Sequence, residues 1–191
     1  MTALDVRVGV ATRPVKGETE CGDLAAFACT DGVWSIVLAD GLGHGPDAAV
    51  AARAVVGFVL ERPEVELGDL MRRCDRAVTH TRGAALTVLR IDAKAGDVVH
   101  AGVGNVDVAA ATLHPTRLIA MPGIVGARMR KVVATRHRVS PGDVLVLHTD
   151  GISRRFQPAD FRDTPVAEAA ALVLSRHGLA HDDATCVFVR C

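Results

Sequence analysis

The chain of 191 residues is 49% hydrophobic and 23% charged, with Lys+Arg 22 against Asp+Glu 22. That composition excludes disorder over most of its length and predicts one domain, 1–191. A net charge of zero excludes a protein built around a broad field for nucleic acid or for a membrane surface, because such binding needs clustered excess Lys and Arg.

Residues 5–11, 24–30 and 33–39 read as strands, the last two joined by Asp31-Gly32, a pair that favours a tight hairpin with both central residues at positive φ. Pro46-Asp47 opens a helix running to about Arg62, with Pro in its first turn. Val65 to about Thr79 follows as a second helix with Leu67, Leu70, Met71, Cys74 and Val78 on one side. Residues 84–92, 97–103 and 106–113 read as strands, then 131–139 and 143–149 as a pair around Ser140-Pro141-Gly142-Asp143. Thr164 to His177 is an amphipathic helix ended by Gly178, before a last strand at 184–190.

This order lacks the strict alternation of a doubly wound parallel sheet, so the class is α+β, layered, with mostly antiparallel sheets. Strands such as 84–89 are apolar or small on both faces, which predicts helices on one side and a second sheet on the other. The five cysteines are odd in number and contain no CxxC, which fits neither a disulfide framework nor a zinc knuckle and points to the cytoplasm. No secretory signal is expected in MTALDVRVGVATR. The longest apolar stretch, Ala48 to Leu60, falls short of the roughly 20 residues that cross a bilayer.

Four acidic positions sit at predicted strand boundaries: Asp23 in CGD, Asp40 in LADGLGHG, Asp150 in LHTDG and Asp182 in HDDAT. Asp40 and Asp150 are each followed by Gly, which predicts a sharp turn and close approach to a ligand. Oxygen-only sets suit hard Mg²⁺ or Mn²⁺, and two such ions can bind a phosphoryl group and activate water. One Asp-Gly pair alone would be an ordinary turn. The GLGHG segment lacks the Lys-Ser/Thr of a P-loop, and Cys21 lacks the Arg of a Cys-x5-Arg phosphatase, since Phe27 stands there.

The ordered set CGD, ADGLGHG, RGAALTVLRID, GVGNV, HTDG and DDATCVFV resembles the metal-dependent PPM (type 2C) serine/threonine protein phosphatases, over nearly the whole chain. Within that family the likeness is to the small bacterial SpoIIE/RsbX branch. The resemblance implies a four-layer α-β-β-α sandwich and two ions, Mn²⁺ or Mg²⁺. It implies that Asp40 bridges both ions, that the Gly41 carbonyl contacts the second, that Asp150 and Asp182 complete the first, and that Asp23 holds the second largely through water. A metal-bridging hydroxide would then attack the phosphoester directly. The implied substrates are phosphorylated STAS-domain proteins of a bacterial stressosome. Asp183 matches no metal role and reads as structural.

Departures from the family pattern fall at Gly22, where many members have Glu, and at Glu18, near which others carry a phosphate-binding Arg. Arg13, Lys16, Arg128 and Arg130 are the candidate substitutes. Asn105 replaces an Asp associated with a third metal, and Met121 to Lys131 is shorter than the flap of larger members. His44 is a candidate proton donor to the leaving oxygen or a plain loop histidine. His148, two residues before Asp150, and His181 are expected near the ions without ligating them. Two other readings remain open: a catalytically weak scaffold that binds STAS domains, and a hydrolase of small phosphoesters.

Overall fold

Alternation along the strands decides the layering. Ile36 and Leu38 pack into one apolar cluster, whereas Val37 and Ala39 pack into another on the opposite face. A computed structural model describes residues 3–191. Its strands are β1 (Arg7–Arg13), β2 (Asp23–Thr30), β3 (Val33–Gly41), β4 (Ala84–Asp92), β5 (Asp97–Val103), β6 (Asp107–Ala111), β7 (Thr135–Arg138), β8 (Val144–His148) and β9 (Ala184–Arg190). The helices are α1 (Gly45–Leu60), α2 (Leu67–Ala77) and α3 (Val166–His177), with a 3₁₀ turn at Pro158–Phe161 that the sequence reading did not anticipate.

The strands form a four-stranded sheet, β1-β9-β8-β6, and a five-stranded sheet, β2-β3-β4-β5-β7. Every pairing is antiparallel. Leu89, Ile91, Leu145, Leu147, Val187 and Val189 fill the space between the sheets. Leu86 and Val88 face α1 and α2, while Val146, Cys186 and Phe188 face α3. Three apolar interfaces therefore separate four layers, α-β-β-α, as expected from the apolar double faces of the strands.

Local chemistry accounts for the element ends. Asp31 and Gly32 have φ of 53° and 87°, the double positive φ expected of the hairpin. The Glu66 carboxylate accepts from the backbone N–H of Gly68 and Asp69 at 2.9 Å, so α2 starts at Leu67 rather than Val65. β1 begins at Arg7 rather than residue 5, because its register with β9 runs from Arg7↔Arg190 to Arg13↔Ala184. The strand expected over 131–139 shrinks to Thr135–Arg138, which finds partners only along Asp97 to His100 of β5. Among the described residues no helix is long and apolar enough to cross a membrane, and all five cysteines are free.

Candidate active site

Both sheets deliver carboxylates to one end of the sandwich. Asp23 opens β2 and Asp40 lies near the end of β3, directly opposite each other in the ladder. Asp150 follows β8, and Asp182 precedes β9, its neighbour in the other sheet. Asp40, Asp150 and Asp182 line a cavity of about 610 Å³ together with His44, Asn105, His181 and the segment Pro122–Ile124. Asp23 sits behind this lining, buried at 6% exposure.

The electrostatics of the group are unfavourable for the protein alone. Burial first, then the charges of Asp23, Asp150, Asp182 and Asp183, push the Asp40 carboxyl up to about 8. Asp23 is raised to about 7, again chiefly by burial, against hydrogen bonds that favour its charged form. One of these comes from the Thr149 hydroxyl, which donates to Asp23 Oδ2 at 2.8 Å and accepts from Thr185 N at 3.0 Å, linking the two sheets.

The remaining carboxylates are also engaged by protein donors. Asn105 Nδ2 donates to Asp150 Oδ2 at 2.6 Å, and Asp182 Oδ1 accepts from Asp183 N at 2.9 Å. Consistent with this, no three acidic, His or Cys side chains among the described residues form a ready-made metal cage. Three convergent carboxylates, the Asp40 carboxyl raised by burial and by its acidic neighbours, and no Lys or Arg in the cavity lining nonetheless fit hard divalent cations, which accept oxygen donors and discharge the cluster. Asp40, Asp150 and Asp182 are placed to supply them, with Asp23 behind.

Asp183 has the structural role expected of it. Its buried carboxylate accepts from Val15 N at 2.7 Å and Gly22 N at 2.8 Å, fixing the loop that enters β2. A Cβ on Gly22 would meet Asp183 Oδ2 at 2.8 Å and Ala48 Cβ at 2.9 Å, so a larger residue does not fit there. The glycines after Asp40 and Asp150 behave differently: Asp150-Gly151 forms the expected turn, closed by Ile152 N donating to the Thr149 carbonyl at 3.1 Å, whereas Gly41 is still paired in β3. Gly41 instead lets β3 abut α1, where a Cβ would lie 2.0 Å from Ala48 O, and at Gly151 it would lie 1.8 Å from Asp183 O. The close approach is to the chain's own backbone.

Of the candidate phosphate-binding residues, none lines the cavity. The Arg13 guanidinium donates to the carbonyls of Leu179 and Asp182 and thereby braces the loop before β9. Lys16, Arg128 and Arg130 are exposed. Farther along the same basic segment, Arg136 and Arg138 pair with Asp97. His44 lines the cavity with Nδ1 donating to Glu18 Oε1 at 2.7 Å, a pairing that the sequence reading missed because the residues are far apart in the chain. His148 does not reach the cavity: β8 ends there, its ring is buried against Phe156 at 5.5 Å, and Nδ1 bonds the Thr149 carbonyl. The short flap is pinned by backbone bridges from Val125 to Ala84 and from Met121 to Val103, and by Gly126 N donating to Asp75 at 2.7 Å.

Cys21 is half-buried, with its thiol raised chiefly by burial and its Sγ directed to the Arg13 carbonyl, which is no environment for a thiolate nucleophile.

Comparison with known proteins agrees with this architecture. The Stage II sporulation protein E (SpoIIE) family matches residues 30–191. The phosphoserine phosphatase RsbX of Bacillus subtilis (strain 168) is 24% identical over 140 residues, 72% of this chain and 70% of that protein. A chain from a structure of the bacterial stressosome, described as a modular system adapted to control secondary messenger signalling, superposes with TM-score 0.93 at 28% identity, covering 97% of this chain and 100% of that one. RsbX in complex with magnesium gives TM-score 0.82 at 21% identity, covering 97% and 94%. The PP2C phosphatase domain of SpoIIE from Bacillus subtilis gives 0.76 at 17%, covering 100% and 64%. With its carboxylates at the shared end of two stacked sheets and the match extending over most of its length, the chain belongs to the SpoIIE family and has the fold of the PP2C phosphatase domains.

Proposed function

We propose that the carboxylate cleft hydrolyses phosphoserine and phosphothreonine esters on protein substrates, with two divalent cations held by Asp40, Asp150, Asp182 and, behind them, Asp23. The observation that carries this reading is the convergence of Asp40, Asp150 and Asp182, from two sheets, on a lining without Lys or Arg. The bound Mg²⁺ or Mn²⁺ supplies positive charge for the phosphoryl oxygens and activates water. The chain's own groups hold and orient. Asn105 fixes one face of Asp150, Thr149 fixes Asp23, and Asp183 fixes the strand entry beside it. His44, held at Nδ1 by Glu18, is placed to hand a proton to the departing seryl oxygen. Water attacks phosphorus, the P–O bond to the side chain breaks, and inorganic phosphate and a free hydroxyl result.

The likeness to RsbX and to a stressosome chain supports phosphorylated STAS-domain proteins as the substrate class, in a cytoplasmic setting. The test is phosphate release from a phosphoserine STAS-domain protein with Mn²⁺, Mg²⁺ or EDTA, for the wild type and Asp40→Asn. Metal-dependent release that collapses in the variant is expected. Binding of the STAS protein without turnover would overturn the assignment in favour of a scaffold, and turnover confined to nucleotides or sugar phosphates would overturn the substrate class.

A further inference from the structure

The cleft lining supplies no cationic side chain of its own to a phosphoryl group. A phosphomonoester carries close to two negative charges near neutral pH, yet the ionisable lining consists of Asp40, Asp150, Asp182, His44 and His181. Arg82 is not part of this lining but lies next to its Gly43, and it lines a separate pocket with Asp47, His80 and Thr81. It precedes Gly83, whose carbonyl accepts from Leu42 N at 3.0 Å, so the segment entering β4 is tied to the Leu42–Gly43 turn of the cleft. A Cβ built on Gly43 would lie 3.2 Å from Arg82 Nη1. Gly43 itself has φ +93°, so both its conformation and its lack of a side chain leave the space beside Nη1 unfilled.

The two ends of the guanidinium have different surroundings. Nη2 donates to the Asp47 carboxylate in the first turn of α1, while Nη1, beside Gly43 of the cleft, makes no hydrogen bond among the described residues. The side chain is 50% exposed, so a solvated anion can reach it. An arginine held by one edge presents its remaining donors as a fixed fork, the geometry that phosphoryl oxygens match.

We propose that Arg82 binds the phosphoryl oxygens of the substrate through its Nη1 edge, with Asp47 as the residue that orients the fork. This rests on the phosphatase reading of the cleft and names its phosphate-recognition residue. The contact is present with substrate and persists with the product, so its loss raises both KM and the inhibition constant for inorganic phosphate, by about 10–100-fold for one charged hydrogen-bonding group.

The test compares wild type, Arg82→Gln and Arg82→Lys in Mn²⁺, measuring kcat and KM for p-nitrophenyl phosphate, competitive inhibition by inorganic phosphate, and calorimetric binding of inorganic phosphate. The glutamine variant is expected to lose phosphate affinity more than kcat, the lysine variant to recover part of it, and both to melt with the wild type. Wild-type turnover with Arg82→Gln unchanged in KM and phosphate affinity overturns the Arg82 assignment and leaves the phosphatase reading standing. Absence of metal-dependent turnover in the wild type overturns both. Should the glutamine variant fail to fold, Arg82→Lys decides, since wild-type phosphate affinity there would show that the fork is not used.

Discussion

Asp23 faces Asp40 across the antiparallel β2–β3 ladder, one residue directly opposite the other. Such partners share a face of the sheet, and like charges in that relationship destabilise it. Both carboxyls are raised well above the ordinary aspartate value of 3.8. The protein therefore carries, at this end, an arrangement that favours protons or cations over bare charge.

Asp40→Asn is expected to remove activity and yet stabilise the metal-free protein. A carboxyl whose folded value is raised costs stability as pH climbs from its ordinary range through the folded value, here from near 3.8 to about 8. Removing the charge should recover about 1–3 kcal/mol at pH 8. Thermal melting in EDTA at pH 5 and pH 8 checks this, because the advantage of the variant should exist at the higher pH and fade at the lower.

Thr149→Val keeps the volume and deletes the hydroxyl that links Asp23 to Thr185 N. The buried Asp23 carboxylate loses one of its donors and the buried Thr185 N–H loses its acceptor, at a cost of roughly 1–3 kcal/mol. Loss of this support should also weaken divalent-ion affinity by about 10–100-fold. Urea unfolding and calorimetric titration with Mn²⁺ measure the two effects separately.

His100 is 1% exposed in β5, and neither ring nitrogen has a hydrogen-bond partner. Burial, reinforced by His137, lowers it from 6.5 to about 4. Its folded form resists protonation while the unfolded form accepts it, so stability is full above about pH 6.5 and is lost as pH falls towards 4. The loss should approach about 3 kcal/mol, and His100→Leu should flatten it. Urea midpoints at pH 7, 5.5 and 4 decide; parallel curves for the two proteins would exclude His100 as the cause.

The same substitution should act in opposite directions at two glycines. Gly41→Ala places a Cβ 2.0 Å from Ala48 O, which the junction of β3 and α1 has no room for, and should cost about 3 kcal/mol or more. Gly57, inside α1, has nothing within 4 Å of the added atom, so Gly57→Ala should stabilise by about 0.5–1 kcal/mol. Melting temperatures of the two variants test the contrast.

Much of the fold was legible because its strands are apolar on alternating and then on both faces, as in Ala84–Asp92, and because punctuation such as Asp31-Gly32 is local. The Asp residues could be read in the same way, since each is delivered by a strand end. What escaped depends on distance along the chain. Glu18 with His44, Asn105 with Asp150, and Arg82 beside Gly43 are brought together only by the stacked layers. Local pattern also misled at Gly41, where a dipeptide typical of turns ends a paired strand and serves packing against α1. His148 was misplaced because a two-residue period was extended beyond the last paired residue of β8.

Because Asp23 and Asp40 belong to one sheet and Asp150 and Asp182 flank strands of the other, an ion shared among them, as proposed, would act as a rivet through the sandwich. Its binding free energy is then also a force against the sheets sliding apart. Amide exchange should slow at the ends of β3 and β8 together when the ion is added, and chelation should loosen both ends at once. Occupancy would thus govern the mechanical integrity of the fold as well as its chemistry.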